Sequence, residues 1–297
     1  MMIRLISLMI LLSFTISCKN QTHDTEEWQS LFNGKDLSGW QIKFANQDLN
    51  FNYKNTFRVE NNMIRISYDD YNTFNDAYAH IYYNQTFSHY KLRFDYRFVG
   101  DQISGGENWN VRNSGIMIHS QSAQSNDFGQ FFPVSIEMQL LGGLGKENRT
   151  TGNLCTPGTF VEINGKENYR HCINSISDTY HGDQWVRGEI VVLGGERIFH
   201  LIENDTVLKY KNPKIGGGFT NPRLGDKDWS SRGVENKDYW IVRQGEILTK
   251  GYIALQAESH PIDFKNIKIL NLCGCMDTNA TNYKSYYIEA DNTQCIY

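Results

Sequence analysis

Hydrophobic and polar residues alternate along many short segments of this chain, and helical periodicity is nearly absent. In KLRFDYRF, Leu92, Phe94, Tyr96 and Phe98 share one face, and the charged residues between them share the other. This alternation predicts antiparallel strands with one side in a core. The clearest predicted strands are TFRVENNMIRIS, YKLRFDYRFVG, SGIMIHS, VSIEMQLLG, WVRGEIVVLGG, RIFHLIENDTVLKY, GYIALQAES and IDFKNIKIL.

Long polar stretches separate some of these segments. A short one, ENDTV, lies between two strand-like runs and predicts a hairpin. Loops of such length are uncommon unless they carry function, and binding residues concentrate on them. The pattern predicts an all-β jelly-roll sandwich of two antiparallel sheets, with long loops over one face. The long stretches are GDQISGGENWN, HSQSAQSNDFGQFF, GGLGKENRTTGNLCTPGTF and NPKIGGGFTNPRLGDKDWSSRGVENKDYW.

Composition narrows the class of protein. The chain has 297 residues, of which 40% are hydrophobic and 21% charged, as in ordinary globular proteins. Its formal net charge of -4 offers no basic surface for nucleic acid. Aromatic residues make up 13% of the chain, which fits pleated, half-buried strands. In a groove, the same rings also stack on sugars.

The N-terminus predicts export. Residues 1–18, MMIRLISLMILLSFTISC, join a basic Arg4 to an apolar run too short to span a membrane, as in a secretory signal. FTISC resembles a bacterial lipobox, and a polar tether follows at 19–27. We therefore favour a lipidated Cys18 over a plain cleaved signal. We expect a chain that is lipid-anchored in the bacterial cell envelope, periplasmic or outer-membrane associated, and touches the membrane only through its lipid.

Five cysteines remain beyond the lipidation site, in a compartment that allows disulfides. Cys155 and Cys172 lie in the loop-rich middle of the chain, and a bridge between them would stabilise the fold by about 3 kcal/mol. Cys275 and Cys295 bracket a short C-terminal unit. Cys273 is then left over, so either it stays free or one of these pairings is wrong.

The alternating pattern ends after Leu272, which divides the chain into a jelly-roll domain at 28–271 and a small appendage at 272–297. The appendage is rich in Asn, Asp and Thr, and it resembles units at the C-termini of some secreted bacterial proteins. Its Asp277, Asn279 and Asp291 could offer oxygen ligands to calcium. Their spacing does not match an EF-hand loop, so a disulfide-closed polar appendage is the preferred interpretation.

Three predicted strands each carry a polar face of similar character. These faces are rich in Asn, Gln, His, Ser and Glu and lack Lys, which is typical of a hydrogen-bonding concave surface. Solvated outer faces of an ordinary sandwich are the competing interpretation, and alternation alone does not decide between them. The residues are Asn113, Gly115, Met117 and His119; Ser135, Glu137 and Gln139; and Tyr252, Ala254, Gln256, Glu258 and His260.

Two further histidines, His171 beside Cys172 and His181 in HGDQW, fall in predicted loops. A lone histidine is more often structural than a ligand. Together with Glu137, His119 and His260, however, they could supply an acid/base pair or a nitrogen/oxygen metal site. Spacing cannot separate these possibilities, because the residues are distant in sequence.

Seven stretches in order resemble the 3-keto-disaccharide hydrolase family, across roughly residues 28–270. The resemblance implies a concanavalin A-like jelly roll whose ligand groove lies on the concave sheet. It also implies cleavage of glycosides, including disaccharides, that are already oxidised to a ketone at C3. The stretches are LFNGKDLSGW, FRVENNMIRIS, NSGIMIHS, IEMQLLGG, TGNLCTPGT, YHGDQWVRGEIVVLGGERIFHLIENDTVLKY and GYIALQAESHPIDFKNIKIL.

A C3 ketone acidifies the proton on C2, so a modest base can remove it and the C1 substituent can leave, with water adding afterwards. Such an enzyme needs a base, a group that polarises the ketone oxygen, and an acid for the leaving group. It does not need the paired carboxylates of a conventional glycosidase, and this sequence shows no obvious pair. A non-catalytic, lectin-like carbohydrate-binding module is the alternative function.

The family motifs carry roles over to this chain by position. Glu137 is expected as base or metal ligand, and His260 as acid/base or ligand. His119 stands where many family members carry Arg. If that Arg polarises the ketone, either His119 does so in a different way or a metal ion takes over the role. The family motifs imply Asn113 and Gln139 as substrate-binding residues. Gln256 and Glu258, which belong to the polar face of their predicted strand, are expected to bind substrate as well. A divalent metal ion is a candidate cofactor, and its candidate ligands are Glu137, His260, His171 and His181.

Overall fold

The computed structural model describes residues 25–216, Trp229 and residues 233–297. The predicted signal peptide at 1–18, the lipidated Cys18 and most of the tether at 19–27 lie outside the described residues. No helix in the described part of the chain is long and apolar enough to cross a membrane.

Strands dominate the described residues, and one short α-helix, α1, spans Lys237–Ile241. The strands are β1 (Gln29–Ser30), β2 (Trp40–Phe44), β3 (Phe57–Glu60), β4 (Met63–Ile66), β5 (Ala79–Phe87), β6 (His89–Phe98), β7 (Asn113–Ser120), β8 (Ile136–Leu141), β9 (Asn153–Cys155), β10 (Thr159–Ile163), β11 (Lys166–Asn168), β12 (Cys172–Ile173), β13 (Val186–Leu193), β14 (Arg197–Ile202), β15 (Asp205–Ile215), β16 (Gly251–Ala257), β17 (Ile262–Asn271), β18 (Cys273–Gly274) and β19 (Glu289–Ala290). Short 3₁₀ helices span Tyr53–Asn55, Asn108–Asn110, Ala123–Ser125 and Asn292–Gln294.

Two large antiparallel sheets form the sandwich. One sheet has the order β11-β10-β15-β14-β13-β6-β17-β4-β3, with β1 added to β17. The other, hereafter the seven-stranded sheet, has the order β12-β9-β8-β7-β16-β5-β2. The prediction of an all-β jelly roll of two antiparallel sheets is therefore confirmed.

Every segment in which alternation was clearest forms strand, because each has apolar residues on the one face that meets the opposite sheet. Leu92, Phe94 and Tyr96 of β6 are all buried in this core, as predicted. The predicted hairpin joins β14 to β15 through Glu203 and Asn204, which both have positive φ, as in a two-residue type I′ turn.

The loop at 121–132 covers part of the seven-stranded sheet on the side away from the core, hereafter its outer face. Ala123 in this loop packs on Tyr82, Met117 and Ala254, which project outward from three neighbouring strands. The Asn126 amide also donates a hydrogen bond to the Tyr82 hydroxyl at 3.2 Å. The loop therefore covers the centre of the outer face and leaves one open region at each end.

Beyond β17, the C-terminal appendage continues as the parallel pair β18 and β19. A disulfide joins Cys275 to Cys295, as predicted, and the Cys273 thiol is free. The appendage also contacts the start of the described chain, because the Lys284 ammonium lies 2.5 Å from a Glu27 carboxylate oxygen.

Candidate active site

The polar side chains of β8 project from the outer face. Ile136, Met138 and Leu140 are fully buried in the core between the sheets, so the residues between them point outward. Glu137 and Gln139 therefore share the outer face, as their alternation predicted.

Gly115 of β7 makes room for the carboxylate of Glu137. A Cβ atom at this glycine would lie 2.4 Å from Glu137 Oε1 and 2.6 Å from its Cγ. The Glu137 side chain therefore leans across the bare backbone of its neighbouring strand. Any larger residue at 115 would collide with it.

Glu137 lines a cavity of about 210 Å³ at one end of the outer face. Two carboxylates, two amides and two aromatic rings meet there, although they come from distant parts of the chain. The lining residues are Trp109, Asn113, Phe132, Glu137, Gln139, Cys155, Pro157, His171, Cys172 and Glu258. The structure thus brings together Glu137, Asn113, Gln139, Glu258 and His171 of the predicted site residues.

Glu137 is only 6% exposed, and this burial decides its acidity. Withdrawal from water disfavours the charged carboxylate, which raises the pKa of Glu137 from 4.5 to about 8. When ionised, Glu137 is therefore a stronger base than an ordinary carboxylate. Glu258, buried in the same cavity, places a second carboxyl group in the site.

A chain of hydrogen bonds fixes the amide of Gln139. The side-chain oxygen of Asn153, Oδ1, accepts hydrogen bonds from the Thr150 hydroxyl at 2.8 Å and from the Ser175 backbone N–H at 2.9 Å. The Asn153 amide nitrogen then donates to Gln139 Oε1 at 3.1 Å. With its oxygen occupied, Gln139 presents its N–H₂ group as a donor at the cavity.

An aromatic wall closes one side of the cavity. Trp109 is 44% exposed and lies parallel to the buried ring of Tyr78, with 6.3 Å between their centroids. The Trp109 carbonyl accepts a hydrogen bond from the Asn113 amide at 3.2 Å, which ties the wall to the start of β7. A flat, accessible ring beside hydrogen-bonding amides suits a sugar ring, which has an apolar face and polar edges.

The disulfide between Cys155 and Cys172 forms the opposite wall, and it confirms the predicted pairing. Cys155 stands directly across from Glu137 in the pairing of β8 and β9. The bridge therefore holds the edge strand β12 beside the proposed base.

Gln256 lies deeper on the outer face, opposite His80 of β5. Both side chains are buried, and within the described residues neither His80 Nε2 nor Gln256 Oε1 has a hydrogen-bond partner. Burial lowers the pKa of His80 to about 3, so its ring is neutral. His80 was not predicted as a site residue, although its alternation with Ala79 and Ile81 in AHIYYNQTF signals an outward side chain.

Trp109 and Phe132 were also missed. Both lie in long polar stretches, in NWN and in FF, where no periodicity assigns a side chain to a face. Ring contacts with Tyr78 hold both residues at the cavity. These contacts form only when the loops that carry Trp109 and Phe132 fold onto the sheet, which the sequence pattern does not reveal.

His119 does not line this cavity, although it was expected to share a face with Asn113, which does line it. The pairing of β7 with β16 is interrupted by a bulge next to His119, whose φ is 48°. Its ring bonds instead to the Gly194 carbonyl at 3.0 Å, in the turn between β13 and β14. The catalytic role expected for His119 stays a prediction, now without contact to Glu137.

His260 also lies outside the cavity lining. Ser259 has a φ of 73°, so the extended backbone ends before His260 and the alternation from Gln256 and Glu258 does not continue. The His260 ring packs edge-on against Phe98, with 5.6 Å between centroids. Burial, followed by the nearby positive charge of an arginine, lowers its pKa to about 4.

His181 is exposed in a loop, where its Nδ1 accepts the Gly145 backbone N–H at 3.1 Å. Of the four candidate metal ligands, the cavity therefore contains Glu137 and His171 only. Nowhere in the described ranges do three or more His, Cys, Asp or Glu side chains group so that they could hold a metal ion. This arrangement does not fit a metal centre of that kind.

The sequence matches the family of 3-keto-alpha-glucoside-1,2-lyase-like domains over residues 27–270. This chain belongs to that family. The match covers the jelly roll and ends before the C-terminal appendage, and it confirms the resemblance seen in the sequence motifs. No curated protein matches the chain.

Two solved structures that are similar to this lyase-like domain share little sequence identity with it. A candidate glycosyl hydrolase from Parabacteroides distasonis ATCC 8503 is 19% identical, covers 83% of this chain and 100% of its own, and has a TM-score of 0.47. A Bacillus subtilis protein of unknown function with a galectin-like fold is 12% identical, covers 82% of this chain and 94% of its own, and has a TM-score of 0.46. The family match alone therefore carries the assignment.

Proposed function

We propose that this protein is an exported, lipid-anchored enzyme of the bacterial cell envelope that cleaves 3-keto-glycosides. The observation that carries the proposal is the buried Glu137 carboxylate on the floor of a small polar cavity, in a chain of the lyase-like family. A raised pKa suits a group that must abstract a weakly acidic C–H proton.

In the proposed reaction, ionised Glu137 takes the proton from C2 of the sugar, and the electron pair is delocalised onto the C3 ketone oxygen as an enolate. The Gln139 N–H₂ group, which has its oxygen engaged by Asn153, is oriented to donate a hydrogen bond to that oxygen. Collapse of the enolate forms the C1–C2 double bond and expels the C1 substituent, which takes a proton from Glu258. Later addition of water to the double bond would complete hydrolysis.

The remaining groups position the sugar. Trp109 offers its exposed ring to the apolar face of the pyranose, and Asn113 offers an amide to a hydroxyl group. Asn113 Oδ1 is buried and has no hydrogen-bond partner among the described residues. It is therefore free to accept a hydrogen bond from a hydroxyl group of the substrate.

The test is incubation of the purified protein with an aryl 3-keto-glucoside and with its unoxidised parent, each with and without a chelator. We expect release of the aglycone from the keto sugar only, and we expect Glu137→Gln to abolish release while sugar binding is kept. The chelator arm tests the divalent ion that the sequence predicted, for which the described residues form no group of three ligands.

The alternative is a carbohydrate-binding module, which the exposed Trp109 ring beside hydrogen-bonding amides would also suit. Sugar binding without release from either glycoside would favour it. Equal release from the unoxidised parent would instead indicate a conventional glycosidase that uses Glu137 and Glu258 as its carboxylate pair.

A further inference from the structure

A second and larger cavity, of about 570 Å³, lies at the other end of the outer face. Tyr252 of β16 and Ser120 of β7, which are paired across the strands, form part of its floor. Tyr239, Arg243 and Lys250, from the segment that leads into β16, form a wall. Its volume falls within the range of roughly 300–1,000 Å³ that is typical of small-molecule sites.

This second cavity is separate from the cavity of Glu137. Tyr252 lies near the start of β16 and Glu258 directly follows its end, roughly 20 Å away at the rise of about 3.3 Å per residue in a strand. Between them, Ala123 of the covering loop packs directly on Met117 and Ala254. A ligand in the second cavity would therefore occupy a site of its own.

The guanidinium of Arg243 in the wall of the second cavity is held in place by its neighbours. Two nitrogens of the Arg243 guanidinium each donate to a Glu246 carboxylate oxygen at 2.7 Å, which fixes the plane of the group. The guanidinium carbon lies 4.9 Å from the ring centroid of Tyr239 and 5.4 Å from that of Trp240. Tyr239 is 48% exposed, so its ring is accessible to a ligand.

The charge of the second cavity is positive. Its described lining contains no acidic side chain, and Glu246 already compensates Arg243. Lys250 is exposed and forms no ion pair with any described residue. His119 also lines this cavity, but burial lowers its pKa to about 4, so it carries no charge near neutral pH. Lys250 is therefore the cation that a ligand would meet.

We propose that the second cavity binds an acidic saccharide unit, such as a hexuronate, independently of the cavity of Glu137. The Tyr239 ring would receive the apolar face of the sugar, and Ser120 and Gln121 lie on the floor where hydroxyl groups would meet polar atoms. The Lys250 ammonium would pair with the carboxylate of the sugar. The proposal does not depend on the reaction assigned to Glu137, because it concerns binding at a different end of the sheet.

The experiment is calorimetric titration of the full chain with methyl β-D-glucuronide and with the neutral methyl β-D-glucoside. We expect the glucuronide to bind more tightly, and its affinity to fall as salt is raised. Lys250→Gln should weaken glucuronide binding about tenfold, the loss of one charged contact of roughly 1.4 kcal/mol. Tyr239→Ala should weaken both sugars. Lys166→Gln, which removes an exposed lysine in β11 of the other sheet, is the matched control and should change neither affinity.

Glu137→Gln separates the two cavities. Glucuronide binding that survives this substitution while turnover is lost supports the proposal. Binding that is lost in Glu137→Gln but kept in Lys250→Gln would place the sugar in the first cavity and overturn it. Equal affinity of the wild-type chain for both sugars, or no glucuronide binding at millimolar concentration, would also overturn it.

Discussion

Gly115→Ala is a direct perturbation of the proposed base that removes none of the polar groups of the site. The new Cβ would lie 2.4 Å from Glu137 Oε1, whereas ordinary contact begins at 3.4 Å, so the carboxylate must move by about 1 Å. A displacement of about 1 Å at a reacting group costs roughly 100-fold in rate. We therefore expect kcat/KM on a 3-keto-glucoside to fall about 100-fold, with a loss of stability of about 1–3 kcal/mol from overpacking.

Gly188→Ala is the matched control, because its Cβ would lie 2.3 Å from Phe94 Cζ in the core, away from Glu137. It should lose comparable stability in urea unfolding yet keep kcat/KM, when both variants are assayed well below their melting temperatures. In a Glu137→Ala background, Gly115→Ala should cost less stability, since the colliding atoms are gone. Wild-type turnover in Gly115→Ala, or an equal stability loss in both backgrounds, would refute the reasoning.

Four further outcomes are expected. Because the pKa of Glu137 rises from 4.5 to about 8 on folding, the folded chain keeps a proton that the unfolded chain releases, so stability falls between those pH values. The slope is at most about 1.4 kcal/mol per pH unit, and Glu137→Gln should remove it from urea unfolding curves measured across that range. Trp109→Ala should raise KM about threefold to tenfold and leave kcat largely unchanged in steady-state kinetics, since stacking contributes about 0.5–1.5 kcal/mol. Replacing Cys155 and Cys172 together by Ser should lower the free energy of unfolding by about 3 kcal/mol. His260→Gln should retain more turnover than Glu137→Gln in the same assay, because His260 lies outside the cavity; equal losses would return His260 to the catalytic set.

The part of the site that could be predicted from sequence lies within regular strand. In β8, the facing of Glu137 and Gln139 follows from the apolar residues on either side, because side-chain direction in a strand has a period of two. No knowledge of the partner strands is needed for that inference. The fold class followed for the same reason, since the alternating segments need a second layer to cover their apolar faces.

Prediction failed where the backbone leaves the extended region. His119, with a φ of 48°, and Ser259, with a φ of 73°, each end the alternation that had been carried through them. One residue in the left-handed region suffices to redirect the side chains that follow. Because these two residues are not glycines, nothing in the local sequence signals the change. His119 and His260 were consequently expected beside Glu137, but neither lines its cavity, and His119 instead lines the second cavity at the other end of the outer face.

The pairing of two carboxylates in one cavity could not be seen in the sequence, because it depends on strand order. Glu137 comes from β8 and Glu258 follows β16, and these strands are separated in the sheet by β7. Glu137 extends toward β7 only because Gly115 of that strand has no side chain. The arrangement of the site therefore depends on a residue that contributes no functional group, and sequence patterns that count acids and histidines pass over such a residue. For this reason Gly115, rather than any histidine, gives the most discriminating test of the proposed base.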